Sequence, residues 1–241
     1  MVLDPQYTYL IGCLSFIFLW LVLFILRKDL RREMITMSFL IAPLGPLSEF
    51  FYLRDYWKPD LINGYLIGIE DFLFAFAIGG ITAVLYEIVF SRRYKKRGTT
   101  THLGVMLLLS LSGLLFMVVG SLILGFNSIY TSTTGFLLLG TLIVIFRHDL
   151  LADAFWSGIL VGTLMLGFYI IFISLFPGII QKWWMLENLS GILILGAPLE
   201  ELMWGFGWGF FAGPAYEFVK GLRLIGKSSS NIVHHRQGGA S

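Results

Sequence analysis

Charge is scarce in this sequence. Asp, Glu, Lys and Arg make up 13% of its 241 residues, where a soluble domain carries roughly a quarter. The net charge of +2 and the confinement of basic residues to short clusters exclude an electrostatic footprint for nucleic acid. Cysteine is scarcer still. Cys13 alone rules out a disulfide framework and a thiolate metal site, and its place inside an apolar run reads as packing. His102, His148, His234 and His235 lie between or beyond the apolar runs without metal-ligand spacing, so no metal is expected. The first ten residues hold no Lys or Arg. The leading apolar run therefore lacks the basic start of a cleaved signal peptide and reads as a retained helix. The last apolar run has no lysine before Lys220, which excludes a retinal Schiff base deep in a final helix.

Apolar residues are in excess: 57% are hydrophobic, 16% aromatic, and the mean hydropathy is +0.81. A fold of this size cannot hide that much apolar surface from water, so lipid is its natural solvent and a partner. About 20 apolar residues cross the hydrocarbon core, and such stretches run over 8–26, 34–53, 65–90, 103–125, 130–146, 152–176 and 188–217. Backbone exposed to lipid finds no hydrogen-bond partner there, so each stretch reads as a helix. With the amino terminus outside, every Lys and Arg except Arg54, Lys58 and Lys182 falls on the cytoplasmic side, as the positive-inside bias requires. The expectation is an all-α integral membrane protein of seven transmembrane helices, with a cytoplasmic carboxyl terminus and a disordered tail over 226–241.

The sequence repeats itself. "RKDL" at 27–30 returns as "RHDL" at 147–150, "IEDFLFAF" at 69–76 as "LEELMWGF" at 199–206, and "YEIV" at 86–89 as "YEFV" at 216–219. The first pair is offset by 120 residues and the other two by 130. This predicts a three-helix unit over 1–98, a linker helix over 99–129 and a second unit over 130–225. A single linker helix makes the two units parallel repeats about an axis along the membrane normal.

Acidic residues inside a bilayer cost roughly 2.5–3.5 kcal/mol each and default to functional candidates. Glu70 and Asp71 stand in the third apolar stretch, with Glu200 and Glu201 at the matching place in the seventh. No intramembrane Lys or Arg is available to neutralise them. A carboxylic acid kept neutral in an apolar site is a proton donor, and an ionised neighbour is a base; the repeat would set the two pairs across a shared central cavity. Glu49 lies near the outer end of the second stretch. Glu87 and Glu217 lie about 25 Å further along their helices and are expected to pair with basic inner-loop residues. Aromatic side chains follow each pair, among them Phe74, Trp204, Phe206 and Trp208, and aromatic faces stabilise a passing cation. Pro198 is expected to kink the seventh helix beside its acids.

"GAPLEELMWGF" at 196–206 resembles the Pro-x-Glu-Glu/Asp-x-x-(aromatic) signature of the small membrane lycopene cyclases, the heterodimeric bacterial and fused archaeal or fungal kind. "DYWKPDLINGYLIGIEDFLFAFAIGG" at 55–80 looks like that domain's first copy, with Gly68 where the motif usually has proline. The resemblance spans both three-helix units. It implies a carotenoid cyclase, an isomerase that closes the ψ-ends of a linear polyene into ionone rings without net redox change and without a flavin or other cofactor. It maps the site to Glu70, Asp71 and Phe74 in one unit and to Pro198, Glu200, Glu201 and Trp204 in the other, with Phe206 and Trp208 beside them. Glu200 or Glu201 is expected to protonate the terminal double bond, and Glu70 or Asp71 to remove the ring proton. The substrate is a lipophilic polyene or isoprenoid, and homo-oligomerisation is left open. Two other readings share the same pattern: a divergent cyclase of another isoprenoid, and a small-solute transporter built as three helices, a linker and three helices.

Overall fold

The structure, a computed structural model, describes residues 5–62, 64, 67–96 and 101–224; the tail expected over 226–241 lies outside the described residues. The chain is mostly helical. Its first helix, α1 (Thr8–Leu26), matches the first apolar stretch. Arg27 N–H still reaches Leu23 O at 2.8 Å, but its backbone leaves helical geometry and its guanidinium turns back onto Asp29 at 3.0 Å. That hydrogen-bonded cation holds the Asp29 carboxyl below its ordinary pKa. Leu30 then plugs into the core.

The second stretch is not one helix. It is α2 (Arg31–Ile41) and α3 (Leu44–Asp55), bent by 46°. Pro43 stands in the break; it has no N–H to continue the ladder, and its ring crowds the carbonyl four residues back. The third stretch becomes α4 (Ile69–Val89). A short strand, β1 (Tyr94–Lys96), follows. Next come α5 (Leu103–Met117), whose end widens into a π-type turn over Val118–Ile123, and α6 (Ser128–Phe146). The start of α6 is capped twice: Asn127 accepts from Ile129 N–H at 3.0 Å, and Asp55 accepts from Ser128 N–H at 3.1 Å. Its end repeats the end of α1, with Arg147 folded onto Asp149 at 2.7 Å and Leu150 buried. Then α7 (Leu151–Leu175) and the short α8 (Ile179–Trp183) follow.

The seventh stretch departs most from expectation. Residues 188–217 hold a tight hairpin, β2 (Leu193–Ile194) against β3 (Ala197–Pro198), and then α9 (Leu199–Ala212). After a break at Gly213–Pro214 comes α10 (Ala215–Lys220). The 14 residues of α9 reach only about 21 Å, short of the roughly 30 Å hydrocarbon core. Among the described residues five helices are long and apolar enough to cross a membrane, or six if α2 and α3 form one bent span. Contrary to the expectation from sequence, Pro198 does not kink a helix. It ends β3 and leads α9 in, where its missing N–H costs nothing. The chain closes with β4 (Leu222–Leu224), antiparallel to β1.

Two helices form the centre. α4 packs on α1, α2 and α3; α9 packs on α6 and α7. Glycine permits the closest approaches. A Cβ on Gly209 of α9 would stand 2.8 Å from the Gly158 Cα of α7, and a Cβ on Gly45 of α3 would stand 2.8 Å from the Ala75 Cβ of α4. In contrast, Leu109 is the single buried residue of Leu103–Met117 in α5, so that helix turns most of its surface outward.

Candidate functional site

The first turns of α4 and α9 open on one cavity of about 530 Å³, within the usual range for small-molecule sites. Both acidic pairs occupy these first turns rather than mid-helix, so helix-start N–H groups face them. Within each pair the two acids part ways, because residues i and i+1 of a helix point about 100° apart. Asp71 and Glu201 line the cavity; Glu70 and Glu200 do not.

Glu70 Oε1 accepts from Ile62 N–H at 2.8 Å, and Glu200 Oε1 accepts from Ser190 N–H at 2.8 Å and from the Tyr130 hydroxyl at 2.6 Å. Each ties the loop before its helix to the helix start. Asp71 Oδ2 accepts from Gly68 N–H at 2.8 Å, which closes the N-terminal cap of α4, and its Oδ1 accepts from the Tyr9 hydroxyl at 3.0 Å. Glu201 Oε1 accepts from the Tyr56 hydroxyl and from Trp184 Nε1 at 2.8 Å, and the Tyr169 hydroxyl also bonds this carboxyl. A third carboxyl, Glu49 of α3, faces the same space and accepts from Trp57 Nε1 at 3.1 Å.

The other walls are aromatic. Phe74 and Trp204 stand 6.2 Å apart between ring centroids, with Phe16 5.3 Å beyond Phe74 and Phe136 6.1 Å from Trp204. Trp204 Nε1 is turned by the Tyr52 hydroxyl at 3.0 Å, and Trp208 Nε1 by Thr82 Oγ1 at 3.1 Å. Phe74, Trp204 and Trp208 line the cavity as expected, but Phe206 does not. It sits on the opposite face of α9, over Gly158 of α7 and beside Phe155 at 6.3 Å. Pro198 also lies outside the lining.

On one side the rim consists of Leu44 and Leu47 of α3 and Leu107, Leu111 and Leu114 of α5, all on the molecular surface. The cavity thus opens sideways between two apolar helices. At the loop end it is closed by a tie between connections: Lys58 N–H donates to Trp183 O at 2.7 Å, and Met185 N–H to Tyr56 O at 2.9 Å.

Sequence reasoning did not single out Tyr9, Tyr56, Tyr169 and Trp184, which hydrogen-bond the acids, or Tyr52, which holds Trp204, and it named Glu49 without a role. The Trp183–Trp184 doublet and tyrosines at helix ends were the available signal. Their partners lie 17 to 152 residues away, which no spacing rule reveals.

The family model described as lycopene cyclase matches residues 127–219. Comparison with curated proteins and with solved structures yields no significant match. The matched segment runs from the cap of α6 through α10 and contains Glu200, Glu201, Trp204 and Trp208.

Proposed function

We propose, for a chain whose residues 127–219 match the lycopene cyclase family model, a membrane carotenoid cyclase that closes linear ψ-ends into ionone rings by redox-neutral, proton-initiated cyclisation. The observation that carries this reading is the single aromatic cavity that Asp71 and Glu201 enter from two different helices. Tyr56 and Trp184 both donate to Glu201 Oε1 and Tyr169 bonds the same carboxyl; in its protonated form this carboxyl is the proton donor. That proton adds to the terminal double bond, and the resulting cation closes onto the neighbouring double bond to form a six-membered ring. The faces of Phe74 and Trp204 stabilise the cation without reacting with it. Asp71, steadied by Tyr9 and Gly68 N–H, removes a ring proton, so one proton enters and one leaves. Glu49 is a second base within the same space.

An apolar end group reaches this chemistry from the lipid through the leucine rim. The repeat also supports the reading. α4 lies against α1 and α2 as α9 lies against α6 and α7, and both units end their first helix on the same Arg-x-Asp-Leu turn. We infer two parallel three-helix units, 1–98 and 130–225, joined by a linker over 99–129, the first unit resembling the matched one. The lining offers a polar solute no Asn, Gln or Thr side chain and few Ser, which weighs against a transporter, whereas a cyclase of another isoprenoid would use the same acids.

The experiment is expression in a lycopene-accumulating bacterial host, with pigments resolved by chromatography and absorption. New monocyclic or bicyclic carotenoids are expected. Unchanged lycopene beside normally inserted protein would defeat the carotenoid reading.

A further inference from the structure

The acids at the opposite end of the bundle have no part in this chemistry. Glu87, in the last turn of α4, and Glu217 of α10 were expected to pair with inner-loop cations. Arg27 and Arg147 instead bind Asp29 and Asp149; among the described residues no Lys or Arg forms an ion pair within 4 Å of Glu87 or Glu217, although Arg27 and Arg93 act on Glu87, and Arg147 on Glu217, from further away. Both are buried, and they meet a third buried acid, Glu33 of α2. One carboxylate oxygen from each of the three lies within 4.8 Å of the others.

The repeat registers explain the meeting. Glu87 and Glu217 are offset by 130 residues. Glu33 follows "RKDL" as Asp153 follows "RHDL", offset by 120. Asp153 is the fourth acid of the set, and its two oxygens are satisfied: the Tyr94 hydroxyl donates at 2.9 Å and Ser157 Oγ at 3.0 Å. Glu217 is different. It is 1% exposed, and among the described residues no hydroxyl, cation or backbone N–H of another residue donates to its oxygens or to Glu33 Oε1; the Glu33 and Glu217 side chains have only each other within hydrogen-bonding reach. Glu33 Oε1 and both Glu217 oxygens are thus buried acceptors without a donor, close to the Glu87 carboxylate, and buried charge of one sign is unfavourable unless something compensates it.

We propose that Glu33, Glu87 and Glu217 bind one divalent cation of the oxygen-seeking class, Mg²⁺, Mn²⁺ or Ca²⁺. Such ions hold oxygens at about 2.0–2.6 Å, so oxygens on opposite sides of one ion stand up to about 5 Å apart, which accommodates this spacing. Hard cations prefer carboxylate to sulfur or imidazole, and no cysteine or histidine enters the cluster. The ion would join α2 and α4 to α10, clasping the two halves of the chain at the end of the bundle remote from Asp71 and Glu201. Its role is structural and independent of the cyclase reading.

The test is a Mn²⁺ titration of the full-length chain, purified in detergent and stripped with chelator, followed by the electron paramagnetic resonance of free Mn²⁺. One saturable site per chain is expected, displaced by Mg²⁺ or Ca²⁺, with Tm rising by about 5 °C at a hundredfold excess over Kd. Glu217→Gln and Glu87→Gln should each weaken binding at least tenfold, while Asp71→Asn leaves it unchanged. Absence of saturable binding of all three ions by folded wild-type protein overturns the proposal. So does wild-type affinity in both Gln variants, or a Glu217→Gln variant more stable than metal-free wild type whose own Tm matches the metal-loaded protein. That last outcome marks a cluster held by shared protons.

Discussion

Within each acidic pair, one carboxyl serves the cavity and the other serves the backbone. Asp71 and Glu201 face the cavity, whereas Glu70 and Glu200 complete the hydrogen bonding of the loops ahead of α4 and α9. Their substitutions should therefore separate. Asp71→Asn and Glu201→Gln remove acid–base function and should each lower cyclisation by about 10²-fold or more, measured as pigment formed per unit of inserted protein. Glu70→Gln and Glu200→Gln keep the shape but weaken a charge-assisted bond to a buried N–H, for a stability loss of about 1–3 kcal/mol, read as a lower Tm with turnover reduced far less. If the two classes lose turnover equally, the division of roles is wrong. Tyr9→Phe removes one donor to Asp71 and leaves the ring; roughly a tenfold drop is expected, without change in the retention of lycopene by the membrane.

Single helices set the position of these acids through close packing and free edges. α3 can lie against α4 because Gly45 has no side chain to meet Ala75 and the Asp71 carbonyl. α9 can lie against α7 because Gly209 meets backbone, which cannot move aside. Gly209→Ala should therefore destabilise the protein by about 1–3 kcal/mol, the usual cost of overpacking, with loss of cyclisation in proportion to misfolded protein. Ala at Gly104, where nothing stands within 4 Å, should be tolerated. The helix α5 offers the opposite kind of test. Its outward leucines form half the rim of the cavity, so Leu111→Trp combined with Leu47→Trp should narrow the entrance. A reduced initial rate at low lycopene content, recovering at high content, would identify the gap as the entry route. An unchanged rate would send the substrate in elsewhere.

Across the whole molecule, the proposed catalytic acids and the proposed cation site lie at opposite ends. The cavity lies at the end closed by Trp57 and Trp184, and the Glu33–Glu87–Glu217 cluster lies beside the Arg27 and Arg147 turns, where β1 and β4 pair. The distribution of basic residues predicts a cytoplasmic arginine end and a cavity near the outer face. Ser91 and Glu187 lie exposed at these two ends. In intact cells an impermeant maleimide should label Glu187→Cys and spare Ser91→Cys, with the buried Cys13 silent in both. The reverse pattern would invert the topology and set the cavity toward the cytoplasm.

Hydropathy and charge were enough to establish a helical membrane protein, because the cost of apolar surface in water and of bare backbone in lipid is local and additive along the chain. The boundaries of α1, α6 and α7 followed from the same local terms. The acidic motifs and the aromatics behind them were legible as candidates, since carboxyls are rare in apolar runs. Which acid of each pair faces the cavity depended on the start of the helix, and the shift from 65 to Ile69 and from 188 to Leu199 was settled by a glycine cap in one case and a β-hairpin in the other. The tyrosine and tryptophan donors, the leucine rim and the meeting of Glu33 with Glu87 and Glu217 were decided by tertiary structure alone. Each depends on which helix lies against which. That choice is made by glycine contacts and ring packing between residues far apart in the chain, and neither hydropathy nor motif spacing carries that information.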